Sequence, residues 1–126
     1  MLKGIGIDVV YLDVMKTMVE ARSGEALRDI FTDAEIDLCQ SSPNMVERFA
    51  TRFAAKEAVA KALGCGIGAV GWQSIEIQRG AQGEPVLVLY DKASAMAHAL
   101  GLHTWSISIS HSRTYAVAVA VALKLP

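Results

Sequence analysis

The sequence predicts an α+β fold: a small, mostly antiparallel sheet packed with one long central helix. Three observations carry that expectation. Apolar, strand-like runs stand at both ends of the chain, in GIGIDVV and in SISISH followed by YAVAVAVAL. An alanine-rich segment, residues 45–63, runs without glycine or proline between them. The connecting region carries two short alternating runs, and the whole order reads β-α-α-α-β-β-α-β-β.

The first strand covers Leu2 to about Leu12, rich in isoleucine and valine, with Gly4 and Gly6 interrupting its side-chain packing. In DVMKTMVEARSGEALRDIF, Met15, Met18 and Val19 share a helical stripe, and Leu27, Ile30 and Phe31 continue it beyond Ser23-Gly24. Thr32 followed by Glu35 has the spacing of a capping box, so a short helix begins in FTDAEIDLC. SSPN is a loop. The long helix then runs from Met45 to Leu63, with Phe49 and Phe53 on one face and alanines that let other backbones come close. Gly64 is its expected C-cap, and CGIGAVG beyond it reads as a mobile or ligand-lining loop. WQSIEIQ and PVLVLY alternate with period two around the hairpin turn RGAQGE. KASAMAHALG is a shorter helix. TWSISISH and YAVAVAVAL close the chain, the second read as a buried strand.

With 126 residues, 52% hydrophobic and 20% charged, the chain has the makings of one domain over residues 1–126 with a real core. Mean hydropathy is +0.33, yet no run reaches the eighteen or so apolar residues of a spanning helix, so no membrane role is expected. The opening MLKGIGIDVV meets Asp8 too early for a signal peptide, which makes a cytoplasmic protein the expectation. A net charge of −1 argues against a general nucleic-acid binder. Cys39 and Cys65 lack the spacing of a zinc site and read as free thiols. Local positive charge exists at Lys16, Arg22 and Arg28, and again at Arg48, Arg52, Lys56 and Lys61. Those cations could meet phosphates or an acidic protein, or simply be solvated.

Four residues stand out chemically. Asp8 interrupts an apolar strand and shares its face with Gly4 and Gly6, small neighbours that would leave room around a carboxylate for a hydrated metal or a phosphate. Glu57 and Lys61 form an i, i+4 pair, worth only a few tenths of a kcal/mol if it is a surface pair. Magnesium, however, takes one or two carboxylates plus waters and phosphates, and Asp8 with Glu57 could be that pair of acids. Lys61 could then meet a phosphate. His111 closes SISISH and could serve phosphate, act as a base, or merely end a strand. His98 and His103 read as structural.

GIGIDVV, RFAAKEAVAKALGCGIG, GEP at residues 83–85 and SISHSRTYAVA, in that order over essentially the whole chain, resemble the holo-acyl-carrier-protein synthases, the small class of 4'-phosphopantetheinyl transferases. The resemblance implies a Mg2+-dependent transfer of the phosphopantetheine arm of coenzyme A to a serine hydroxyl of an apo acyl carrier protein or carrier domain. Adenosine 3',5'-bisphosphate is released. It implies metal-binding acids at Asp8 and Glu57, a lysine beside the diphosphate at Lys61, and a coenzyme-holding histidine at His111. Arg52, Gly64, Pro85 and Ser112 fall in segments implied to line the coenzyme pocket. Glu57 is the candidate base, directly or through water on the metal. A homotrimer with sites at subunit interfaces is also implied.

One departure is visible. Where the resemblance implies an acid and then an arginine after GxD, this chain has Tyr11 and Val14. That arginine is implied to grip the carrier, so partner identity is affected, with Lys16 or Arg22 as substitutes. Tyr11 could alter the surroundings of the metal. Two rival readings follow: a non-catalytic coenzyme A or nucleotide-binding module, and a scaffold in which Glu57 and Lys61 only stabilise a helix.

Overall fold

A computed structural model describes residues 2–21 and 24–124, so Arg22 and Ser23 lie outside the described residues. The elements are β1 (Leu2–Tyr11), α1 (Leu12–Val19), α2 (Glu25–Ile30), α3 (Asp33–Gln40) and α4 (Met45–Ala62). After them come α5 (Ile67–Val70), a 3-10 turn (Trp72–Ser74), β2 (Ile75–Arg79), β3 (Pro85–Leu89), α6 (Asp91–Leu100), β4 (Thr104–His111) and β5 (Tyr115–Leu123). The α+β expectation holds, with every strand pairing antiparallel. Rather than one small sheet there are two, ordered β1-β5-β4 and β2-β3. The stretch read as a loop after Gly64 contains the single-turn helix α5, a difference that four residues of Ile, Gly, Ala and Val are too few to announce by period.

The three-stranded sheet has two unlike faces, as strand alternation requires. Its inner face carries Ala116, Ala118, Ala120 and Ala122 of β5, all fully buried against α4. Its outer face leaves Ile5, Ile7, Val9 and Tyr11 of β1 between 55% and 62% exposed. YAVAVAVAL is therefore buried on one side only: its alanines face the helix while the valines between them are half-exposed. In β4 the serines of SISIS point outward and Ile107 and Ile109 join the core.

Small residues on the inner face let α4 press onto the sheet. A Cβ at Gly6 would stand 1.9 Å from the carbonyl oxygen of Ala58, and one at Gly4 2.2 Å from that of Ala62. Neither separation is sterically possible, so β1 and α4 meet main chain to main chain. The glycines thus do not leave open room around Asp8, as the sequence suggested. The helix backbone takes that room.

The other side of α4 carries a buried polar core. Thr32 and Glu35 form the expected capping box at the start of α3. The same Glu35 carboxylate, 1% exposed, lies 2.6 Å from the ammonium of Lys56, which is fully buried. Lys56 also donates to the carbonyls of Trp72 (2.9 Å) and Ile75 (2.6 Å), and Glu35 accepts from the backbone N–H of Ile77 at 2.8 Å. Three polar side chains of α3 and α4 thereby occupy backbone groups along β2, since Arg52 donates to the carbonyl of Ile77 at 3.3 Å. A strand edge that could have recruited another chain is closed by side chains.

Candidate active site at the seam of the long helix and the first strand

Asp8 sits on the inner face of β1, where the sheet register places it opposite Ala118. Glu57 and Lys61 project from α4, four residues apart and so about one turn. Lys61 does not close the ion pair with Glu57 that its spacing suggested. Its ammonium lies 3.1 Å from a carboxylate oxygen of Asp8 and donates at 2.9 Å to the carbonyl of Ile7. Two acceptors on the adjacent strand outcompete one acceptor on its own helix. Asp8 is 17% exposed and Lys61 51%, so the cluster opens to solvent at the lysine.

Glu57 is half-buried beside this pair. Burial raises its carboxyl pKa above the ordinary value; the negative charge of Asp8 raises it further, and Lys61 pulls it back. Two carboxylates that repel one another across a solvent-facing seam, with a single lysine, suit a hard divalent cation. The donor set also fits magnesium, which needs few protein oxygens and keeps waters and phosphates in its shell. Among the described residues no three His, Cys, Asp or Glu side chains gather as a metal cage.

The other sequence-predicted residues lie elsewhere. His111 ends β4 opposite Ala116, with β5 between it and β1, so one chain does not bring it to Asp8. It lines a separate cleft of about 170 Å3 with Arg48 and Thr51 of α4. Ser112 shapes the β4–β5 turn: its hydroxyl accepts from the N–H groups of Thr114 (3.1 Å) and Tyr115 (3.2 Å). Pro85 opens β3, where a missing N–H is tolerated. Gly64, with φ of +80°, follows α4 in a Schellman arrangement. Its N–H meets the Lys61 carbonyl at 2.9 Å and that of Cys65 meets the Ala60 carbonyl at 3.2 Å. Arg52 is 3% exposed and bound to backbone carbonyls, on a flank of α4 about 140° from Glu57. Lys56, grouped with the surface cations from sequence, belongs to the core. Tyr11 points to the outer face, away from Asp8, and packs edge-on against Tyr115 at 5.7 Å between ring centres. It does not stand beside the acids in its own chain.

Two contributors were not singled out from sequence. The carbonyl of Ile7 as a lysine acceptor has no side-chain signal at all. Arg48 in the His111 cleft was named only among the cations. Its position four residues before Arg52 was the one hint available.

A family model described as the 4'-phosphopantetheinyl transferase superfamily matches residues 4–120, and the chain belongs to that superfamily. Within it, the chain is 44% identical over 102 residues to the holo-[acyl-carrier-protein] synthase of Koribacter versatilis, covering 80% of this chain and 82% of that one. The crystal structure of the holo-[acyl-carrier-protein] synthase from Neisseria meningitidis superposes with a TM-score of 0.89 at 34% identity, over 98% of this chain and all of that one. A Bacillus anthracis holo-(acyl-carrier-protein) synthase, solved in complex with CoA (3',5'-ADP), gives 0.79 at 33% identity over 97% and 96%. The family and fold implied by the sequence motifs are both borne out.

Proposed function

We propose that the chain is a holo-acyl-carrier-protein synthase that moves the 4'-phosphopantetheine group of coenzyme A onto a serine of an apo carrier protein, with Asp8 and Glu57 holding Mg2+. The observation that carries this reading is the convergence of Asp8, Glu57 and Lys61 at one seam, in a chain whose relatives are synthases of that kind. Bound there, the metal would neutralise charge on the diphosphate. Lys61, half-exposed and already aimed into the seam, binds diphosphate oxygens as a mobile cation. Glu57, its proton affinity raised, takes the proton of the attacking hydroxyl. The serine oxygen forms a bond to the β-phosphorus while that phosphorus releases adenosine 3',5'-bisphosphate. Residues 1–126 act as one catalytic domain, in the cytoplasm; no helix among the described residues is long and apolar enough to cross a membrane.

The carrier belongs to fatty acid synthesis or to a specialised assembly line. Val14, 57% exposed on α1, presents an apolar contact to it where an arginine was implied. The test is the intact mass of several apo carriers after incubation with this protein, coenzyme A and Mg2+. A phosphopantetheine-sized gain that vanishes without metal is expected. Coenzyme binding without any gain, on every carrier tried, would instead favour the binding-module reading.

Two observations support a homotrimer with shared sites. The outer face of the sheet is a broad apolar surface, from Ile5 to Tyr11 and Tyr115, larger in character than scattered exposed side chains. His111 is also separated from Asp8 of its own chain by the intervening strand β5. Each site would then combine Asp8, Glu57 and Lys61 of one subunit with His111 of the next. Mixing equal amounts of unfolded Glu57→Ala and His111→Ala chains and refolding them together should restore about a quarter of parental transfer, because one interface in four pairs two intact halves. No recovery above the two separate variants would refute the shared site.

A further inference from the structure

His98 and His103 lie five residues apart, and no periodic pattern ties them together. The structure does. His98 occupies the last turn of α6 and His103 begins the approach to β4, and their ring centres stand 5.6 Å apart with 58° between the planes. Neither imidazole has a hydrogen-bond partner among the described residues, and both are exposed. Their ring nitrogens are available. A metal bound by one nitrogen of each ring, at about 2.0–2.1 Å, brings two ring centres to roughly 5–6 Å.

The backbone between the rings is locked in place. Gly101 adopts φ of +73°, its N–H meets the His98 carbonyl at 3.0 Å, and the Leu102 N–H meets the Ala97 carbonyl at 2.8 Å. Leu102 is buried, and its carbonyl accepts from the indole N–H of Trp105 at 3.1 Å. Chain ordering on ligand binding therefore costs little. Both rings line a cleft of about 260 Å3 that also exposes Ser94 and no carboxylate.

We propose that His98 and His103 together bind one divalent late transition-metal ion of the Zn2+ class, with water completing its coordination. Imidazole nitrogens without a carboxylate select zinc, nickel or copper over magnesium. This site is therefore chemically distinct from the oxygen donors Asp8 and Glu57. With only two protein ligands it is open and exchangeable rather than a closed structural site. The proposal is independent of the transfer reaction.

The chain has three histidines, which makes the ring signals easy to follow by 15N-correlated NMR of the full-length protein. Zn2+ is titrated in an excess of Mg2+, which occupies hard-oxygen sites. The His98 and His103 ring signals are expected to move together and saturate at one ion per chain while His111 stays in place. His98→Gln should weaken the response of His103 at least about tenfold, since half of the protein ligands are gone. Transfer measured without zinc should be unchanged in that variant. Signals at 98 and 103 that stay still, a response led by His111, or a His103 response undiminished in His98→Gln would each overturn the site.

Discussion

Glu57→Gln is expected to lower kcat for phosphopantetheine transfer by roughly 10²–10⁴-fold, the range lost when a positioned general base is removed. The amide is nearly isosteric but cannot accept the serine proton. Stability should move the other way. In the folded chain, burial and then the charge of Asp8 raise the Glu57 pKa, against the pull of Lys61. The folded state holds that proton more tightly than the unfolded state does. The associated stabilisation is present below the ordinary value of 4.5 and is lost as pH rises through the folded value. Glutamine carries no such penalty. Thermal melts of the metal-free variant should therefore match the parent at acid pH and equal or exceed it at neutral pH. Parental turnover in Glu57→Gln would remove Glu57 from the chemistry; a large loss of stability would show it to be a structural residue instead.

Lys56→Met should cost about 3–5 kcal/mol of unfolding free energy at neutral pH, because it strips the partner from a buried carboxylate. Lys56 is fully buried 2.6 Å from Glu35, and its ammonium also serves two backbone carbonyls of the β2 approach. Burial pushes Glu35 up and Lys56 down, and each is partly held by the other. Without the lysine the proton affinity of Glu35 rises further. Protonation then relieves part of the damage, so the cost should shrink as pH falls toward the ordinary glutamate range and grow as pH rises. Urea unfolding with an unchanged m-value is the measurement. Glu35→Gln combined with Lys56→Met should be less damaging than the sum of the two single changes, since no unpaired charge remains. A loss below about 1 kcal/mol, or strict additivity of the pair, would contradict a coupled buried network.

What the chain reveals before folding depends on whether a feature is local. The capping box of Thr32 and Glu35, the alternation of SISISH and the glycine that follows α4 were readable because each is decided within a few residues. Lys56 is buried although its charge favours the surface, because its position on α4 faces the core. Phe49, Arg52, Lys56 and Val59 follow a single buried stripe, which helical spacing alone would have put in the core. The candidate site was legible in part, since Asp8, Glu57 and Lys61 stand in the motifs and converge at one seam. The true partner of Lys61 was not, because Asp8 lies 53 residues away and meets it only once β1 docks on α4. The split into two sheets likewise depends on long-range pairing that no local pattern carries.

The contact of Gly4 and Gly6 with the carbonyls of Ala62 and Ala58 has a mechanical consequence. Most helix–sheet joints contain rotatable groups that can yield, so the spacing across them drifts with temperature or with a neighbouring substitution. This joint has no such spacer. The backbones that carry Asp8 and Glu57 are therefore spaced by main-chain atoms already at closest approach, and compression cannot bring β1 and α4 nearer to one another. The strand and the helix that bear the acids are set as if by a fixed calibre, and what adjustment the site retains lies in the side chains of Asp8, Glu57 and Lys61.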